Sequence, residues 1–144
     1  MSDNTLRRDL VVAGNKLATT FAACLFMPGT TPATAANFGV VFWTASRACQ
    51  ITAVVERHAT AGSDAGAVTG MLKKVPSGTA AASGADALSA GIDLKGTANT
   101  NAAGALTATA ADLLLAAGDS LAFVLTGTPT ALAGLGVTVT LRAI

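Results

Sequence analysis

One imidazole and eight carboxylates bound the acid-base chemistry this chain can do. His58 closes a strand-like run beside Arg57 and precedes Ala59-Thr60-Ala61-Gly62. That setting predicts a solvent-facing strand-end residue, not an acid-base group or a metal ligand. The carboxylates are Asp3, Asp9, Glu56, Asp64, Asp86, Asp93, Asp112 and Asp119. They are spread along the chain and mostly flank turns, where aspartate bonds to nearby backbone N–H groups. No Ser, His and Asp stand at a recognisable spacing, and no GxSxG occurs. Asp64, within Ala61-Gly62-Ser63-Asp64-Ala65-Gly66, has the faint outline of a calcium loop but lacks the alternating oxygen ligands. Gly134-Leu135-Gly136 opens a strand, so it offers no helix N-terminus to a phosphate. Trp43 beside Phe42 could stack on a sugar, but with five Phe and one Trp in the chain, core packing is the stronger use. Cys24 and Cys49 show no CxxC or Cys/His spacing and sit in apolar runs. They read as buried free thiols, with a disulfide between neighbouring strands as the alternative. The expectation is a chain with no catalytic residue, no cofactor and no metal: not an enzyme.

The elements around these residues are short strands. Residues 17–27 are apolar with β-branched and aromatic positions and stop at Met27-Pro28-Gly29. After a loop over 28–37, residues 38–44 place Phe38, Val40 and Phe42 on one face and Val41 and Trp43 on the other. Residues 48–59 set Cys49, Ile51, Ala53 and Val55 against Gln50, Thr52, Val54 and Glu56. A strand over 68–75 ends at Pro76-Ser77-Gly78, and the Ala/Ser/Gly-rich stretch 79–86 reads as loop. Leu88, Ala90, Ile92 and Leu94 alternate, and residues 106–115 fit either a strand or a short helix. Leu121, Phe123 and Leu125 share a face, 127–136 is a loop, and Val137, Val139 and Leu141 alternate in the last strand. About eight strands between turns rich in Gly, Pro and Asn predict an all-β fold. The expected form is an antiparallel β-sandwich, jelly-roll-like, over residues 17–144, with a short N-terminal arm over residues 1–16. The expected core holds Phe38, Val40, Phe42, Ile51, Val55, Leu121, Phe123, Val139 and Leu141.

Composition narrows the partners. The 144 residues include 33 Ala, 20 Thr and 15 Gly, with 51% hydrophobic and 12% charged residues. The charged share is about half of the usual ~25%. A net charge of +1, with Arg7-Arg8 and Lys73-Lys74 the only adjacent basic pairs, supplies no field for nucleic acid or an anionic membrane. No run reaches the ~18–20 apolar residues of a membrane-spanning helix. Residues 17–27 have signal-peptide length, but Asp3, Asp9 and Asn15-Lys16 spoil the leader. So little charge favours association between chains. The arm is the most charged segment, carrying Asp3, Arg7, Arg8, Asp9 and Lys16, and Leu10-Val11-Val12 forms an apolar pulse within it.

The stretches Lys74-Val75-Pro76-Ser77-Gly78-Thr79-Ala80, Asp93-Leu94-Lys95-Gly96-Thr97-Ala98-Asn99 and Leu115-Ala116-Ala117-Gly118-Asp119-Ser120-Leu121 carry a resemblance. It continues through Thr126-Gly127-Thr128 to Leu135-Gly136-Val137-Thr138-Val139-Thr140-Leu141. The chain resembles small virion proteins of tailed bacteriophages, most closely the capsid decoration (cement) proteins with a jelly-roll domain. The resemblance covers about the last 95 residues and excludes the segment to Lys16. It implies a homotrimer on the outer surface of the shell that binds the major capsid protein and stabilises the capsid. It would be assembled in the host cytoplasm and located in the virion. Leu6, Arg7, Arg8, Leu10, Val11 and Val12 of the arm are the expected capsid contacts. The alternative is a tail- or head-fibre domain that binds a host receptor or carbohydrate. A hydrolase or lyase on the same scaffold would need clustered His and carboxylates, which a lone His58 opposes.

Overall fold

Strands that alternate with period two and end at Gly- and Pro-bearing turns bury their apolar side by facing a second sheet. The computed structural model describes residues 20–31 and 39–144, and there the chain is an antiparallel β-sandwich. Its strands are β1 (Thr20–Thr30), β2 (Gly39–Thr44), β3 (Cys49–Arg57), β4 (Thr69–Val75), β5 (Ala85–Asp86), β6 (Ile92–Asp93), β7 (Ala102–Ala103), β8 (Leu114–Leu115), β9 (Ser120–Thr126) and β10 (Ala133–Ala143). A 3-10 turn spans Ala81–Ser83, and one helical turn, α1, spans Ala110–Leu113. The first sheet runs β1-β10-β3-β7 with β8 also on β3; the second runs β2-β9-β4-β5 with β6 also on β4.

Ile51, Leu121, Phe123, Val139 and Leu141 are buried between the sheets as the alternation requires. Phe123 fits because its ring lies over Gly70, diagonal to it on β4: a Cβ there would lie 2.1 Å from Phe123 Cζ. Gly127 turns the chain at φ +90, where a Cβ would meet the Ala67 carbonyl oxygen at 2.0 Å. Val40 and Phe42 are half-buried against the core, while Phe38 and the arm residues lie outside the described residues.

Several expected boundaries move. β1 continues past Pro28 to Thr30, with its register against β10 shifted between Met27 and Thr30. The 79–86 loop contains the 3-10 turn and β5, and β10 begins at Ala133 inside the expected 127–136 loop. The alternating stretch 88–94 buries Leu88, Ile92 and Leu94 but pairs only as β6 and at the bridge Leu88–Leu106. Gly91 interrupts it where the backbone passes Thr69; a Cβ there would lie 2.9 Å from Thr69 Cβ. Residues 106–115 divide into α1 and β8. The largest change is in β3. Its pairing with β10 shifts between Thr140, opposite Ala53, and Leu141, opposite Ile51, so Thr52 is the extra residue of a bulge. Beyond it the side chains change face: Cys49 and Ile51 point inward, then Val54, Glu56 and His58, while Val55 is only half-buried.

Candidate functional site: a buried Glu-His pair and the cleft beside it

The bulge brings two ionisable side chains into the sandwich. Without it, alternation from Ile51 would keep Glu56 and His58 on the outer face; with it they are 0% and 2% exposed. This overturns the solvent-facing placement expected of His58. His58 Nδ1 lies 2.8 Å from Glu56 Oε1, and His58 Nε2 lies 3.2 Å from the Gly96 carbonyl oxygen. A carbonyl oxygen only accepts, so Nε2 carries a hydrogen and donates to Gly96. The short Nδ1–Oε1 contact then needs one proton between the two side chains, on either partner. Glu56 Oε2 is also buried and has no hydrogen-bond partner among the described residues. Burial pushes the Glu56 carboxyl above its usual range; the hydrogen bond and charge of His58 oppose the rise, and the Asp93 carboxylate adds to it.

The pair fastens a loop. Besides Gly96, the Asn99 N–H donates to the His58 carbonyl oxygen at 2.8 Å, with Asn99 in the left-handed region at φ 61. Next to the pair, between β6 and β7, a cleft of about 380 Å³ is lined by Gly91, Ile92, Asp93, Gly96, Ala102 and Gly104, among others. Glu56 is the register partner of Ala102 on that side. An acid-base pair sealed at 0% and 2% exposure has no path to a substrate in this conformation. Its chemistry is internal: it holds a proton and anchors the loop.

The other chemistry-bearing residues have structural partners. Asp64 Oδ2, Asp93 Oδ1 and Asp119 Oδ2 accept from the backbone N–H groups of Gly66, Lys95 and Ala116, as turn aspartates do. In the calcium-like loop, the Lys95 ammonium donates to the carbonyl oxygens of Asp64 at 2.6 Å and Gly66 at 3.1 Å. A lysine thus takes the oxygens a cation would need. Lys73 pairs with Asp86 and donates to Gly84 O, and Lys74 donates to Ala111 O. Trp43 is half-buried with its ring 6.0 Å from that of Phe21, and the Arg47 guanidinium lies 5.7 Å from the Phe21 centroid. It packs; it does not present a stacking platform. Cys49 is buried, which raises its thiol pKa, and Cys24 is exposed; neither forms a disulfide. Among the described residues no three His, Cys, Asp or Glu side chains converge as metal ligands would.

The expected capsid contacts Leu6, Arg7, Arg8, Leu10, Val11 and Val12 lie outside the described residues. The Glu56–His58 pair was missed, although a carboxylate and an imidazole two residues apart on a strand always share a face. Comparison with protein-family models, curated proteins and solved structures finds no match to this chain.

Proposed function

We propose that this chain is a structural protein of a phage virion, a decoration protein that binds the outer surface of the capsid as a homotrimer and stabilises it. The observation that carries the reading is the strand wiring. The chain passes from β1 in the first sheet to β2 in the second, back to β3 and on to β4; β5 and β6 stay in the second sheet, β7 and β8 lie in the first, and β9 and β10 take one sheet each. With the paired short strands counted as one, this gives eight strands in two four-stranded sheets, which supports the jelly-roll reading. That is the architecture implied by the resemblance carried by residues 74–141. Among the described residues, several ionisable groups support it from another side: Asp64, Asp93 and Asp119 serve turns, Lys74 and Lys95 bind backbone carbonyls, and Glu56 and His58 form a sealed core pair. A shell-bound protein needs a rigid fold and faces that complement a lattice.

The test is co-sedimentation of the purified chain with assembled shells, and heating of particles with and without it. Saturable binding to shells, and genome release at lower temperature from particles lacking the protein, are expected, because a ligand of the assembled state stabilises that state. Absence of shell binding combined with binding to host-cell glycans would replace this reading with the fibre alternative.

A further inference from the structure

The loop between β6 and β7 is fastened in two places. At its start, the Leu94 N–H donates to the Val68 carbonyl oxygen, and the Gly62 N–H donates to that of Leu94. The Lys95 ammonium adds the carbonyl oxygens of Asp64 and Gly66. Further on, residues 96–99 are tied to His58 at both ends. The Gly96 carbonyl oxygen accepts from Nε2 at 3.2 Å, and the Asn99 N–H donates to the His58 carbonyl oxygen at 2.8 Å.

The number of protons on the pair decides whether Nε2 can keep its contact. In the closed arrangement one hydrogen sits on Nε2, toward Gly96, and a second lies between Nδ1 and Oε1 of Glu56. When one leaves to solvent, a single hydrogen must serve both contacts. Kept on Nε2, it leaves a bare Nδ1 facing an ionised carboxylate at 2.8 Å. Moved to Nδ1, it bonds that carboxylate and leaves Nε2 and the Gly96 carbonyl oxygen as two acceptors at 3.2 Å. A hydrogen bond to an ionised acceptor is about twice as strong as a neutral one, so the second arrangement wins. With the side chains 0% and 2% exposed, solvent does not reach in to replace the missing donor, and two facing acceptors push apart.

We propose that the Glu56–His58 pair is a proton-operated latch on residues 96–99: losing its proton breaks the Nε2–Gly96 contact and opens the cleft wall between β6 and β7. Gly96 lines that cleft, so its release widens the hollow toward the pair. Glu56 Oε2, buried without a partner among the described residues, then meets water. The anchors at Leu94 and Lys95 do not involve the pair, which makes Lys95 the hinge.

The surrounding charges set the direction. Burial raises the Glu56 carboxyl above its usual range, and Asp93, on β6 and in the cleft wall, adds to the rise. The other charged groups are turned elsewhere. Lys95 and Asp64 are engaged in the 64–66 turn, Lys73 and Lys74 of β4 go to Asp86 and the Ala111 carbonyl, and residues 99–111 carry no charge. Arg57 of β3 and Arg142 of β10 are exposed, Arg142 on Gln50. The latch is shut on the acid side and opens as pH rises. It does not depend on binding to a shell.

The test follows the full chain by NMR from about pH 4 to about pH 9. Imidazole nitrogen-15 shifts report the tautomer, and amide hydrogen exchange at Asn99 reports the loop. His58 is expected to hold its hydrogen on Nε2 at the acid end and on Nδ1 once the proton is lost. In Glu56→Gln the amide N–H donates to Nδ1 and there is no proton to lose, so the latch is expected to stay shut throughout. Relative to that variant, wild-type Asn99 exchange is expected to speed up by about tenfold per pH unit, the linkage of one proton, while Leu94 stays protected. If Glu56→Gln fails to fold, the wild-type tautomer and the contrast between Asn99 and Leu94 decide. A His58 that keeps its Nε2 hydrogen across the range overturns the latch, as does a tautomer change that leaves Asn99 protected. Loss of protection at Asn99 and Leu94 together would be unfolding of the domain, and it overturns the latch too.

Discussion

His58 Nδ1 lies 2.8 Å from Glu56 Oε1 inside the sandwich, and the geometry holds one proton between them. Stability therefore depends on pH through the Glu56 carboxyl. Burial raises it above its usual range, the hydrogen bond and charge of His58 oppose the rise, and the Asp93 carboxylate adds to it. A carboxyl raised in the folded state keeps a proton that the unfolded chain, whose glutamates titrate near about 4.3, has already released. Its contribution is full below about pH 4.3 and is lost as pH rises through the folded value. Urea titrations from pH 4 to 9 are expected to show that loss. The double variant Glu56→Leu, His58→Leu removes both groups and is expected to flatten it, at little or no loss of stability. An unchanged profile in that variant would mean that other groups set it.

The two cysteines give a second prediction from local structure. Cys24 is exposed on the outer face of β1 with its Sγ 3.9 Å from Thr138 Oγ1, and Cys49 is fully buried at the start of β3. The thiolate is the reacting species, and burial holds the Cys49 thiol protonated as well as covered. Native protein is expected to take one equivalent of a thiol reagent quickly at Cys24 and the second only on the timescale of unfolding. Peptide mass mapping assigns the site. Fast labelling of both would show that the start of β3, held between Ala143 of β10 and Leu115 of β8, opens readily.

How much of this was legible in the sequence depends on how far a signal is local. In β9, Leu121, Phe123 and Leu125 alternate without interruption, and all three are buried between the sheets. The same holds for Val139 and Leu141 in β10. Cys49–Arg57 was readable as a strand but not as one that changes face. The segment contains no glycine or proline to mark a bulge, and the register shift at Thr52 appears only when β10 is set beside it. A one-residue slip exchanges the faces, so Glu56 and His58 were assigned to water when they belong to the core. Short strands failed for a related reason. β5, β6, β7 and β8 have two residues each and exist through pairing to β3 or β4, not through a pattern of their own. The cleft beside Ala102 depends on those pairings and leaves no trace in the linear chain.

Gly70 and Phe123 provide the sharpest test of the packing. They lie on neighbouring strands, with Gly70 of β4 opposite Leu125 and Phe123 of β9 opposite Leu72, and the Phe123 ring lies over Gly70: a Cβ there would sit 2.1 Å from Phe123 Cζ and 2.3 Å from Cε1. Both atoms belong to one fully buried ring, so the ring must move for any side chain to fit. Overpacking of this kind costs about 1–3 kcal/mol and occasionally more. Gly70→Ala is therefore expected to destabilise the fold by at least that amount. Phe123→Ala removes the ring and is expected to cost about 3–5 kcal/mol through lost burial and the cavity left behind. The two losses should not add. In the double variant the alanine at position 70 enters space the ring has vacated, so the Gly70→Ala penalty is expected to shrink by more than about 1 kcal/mol, a coupling typical of side chains in contact. Urea denaturation of the four proteins measures it. Additive losses would show that Gly70 is required for backbone freedom and not for the space it leaves to Phe123.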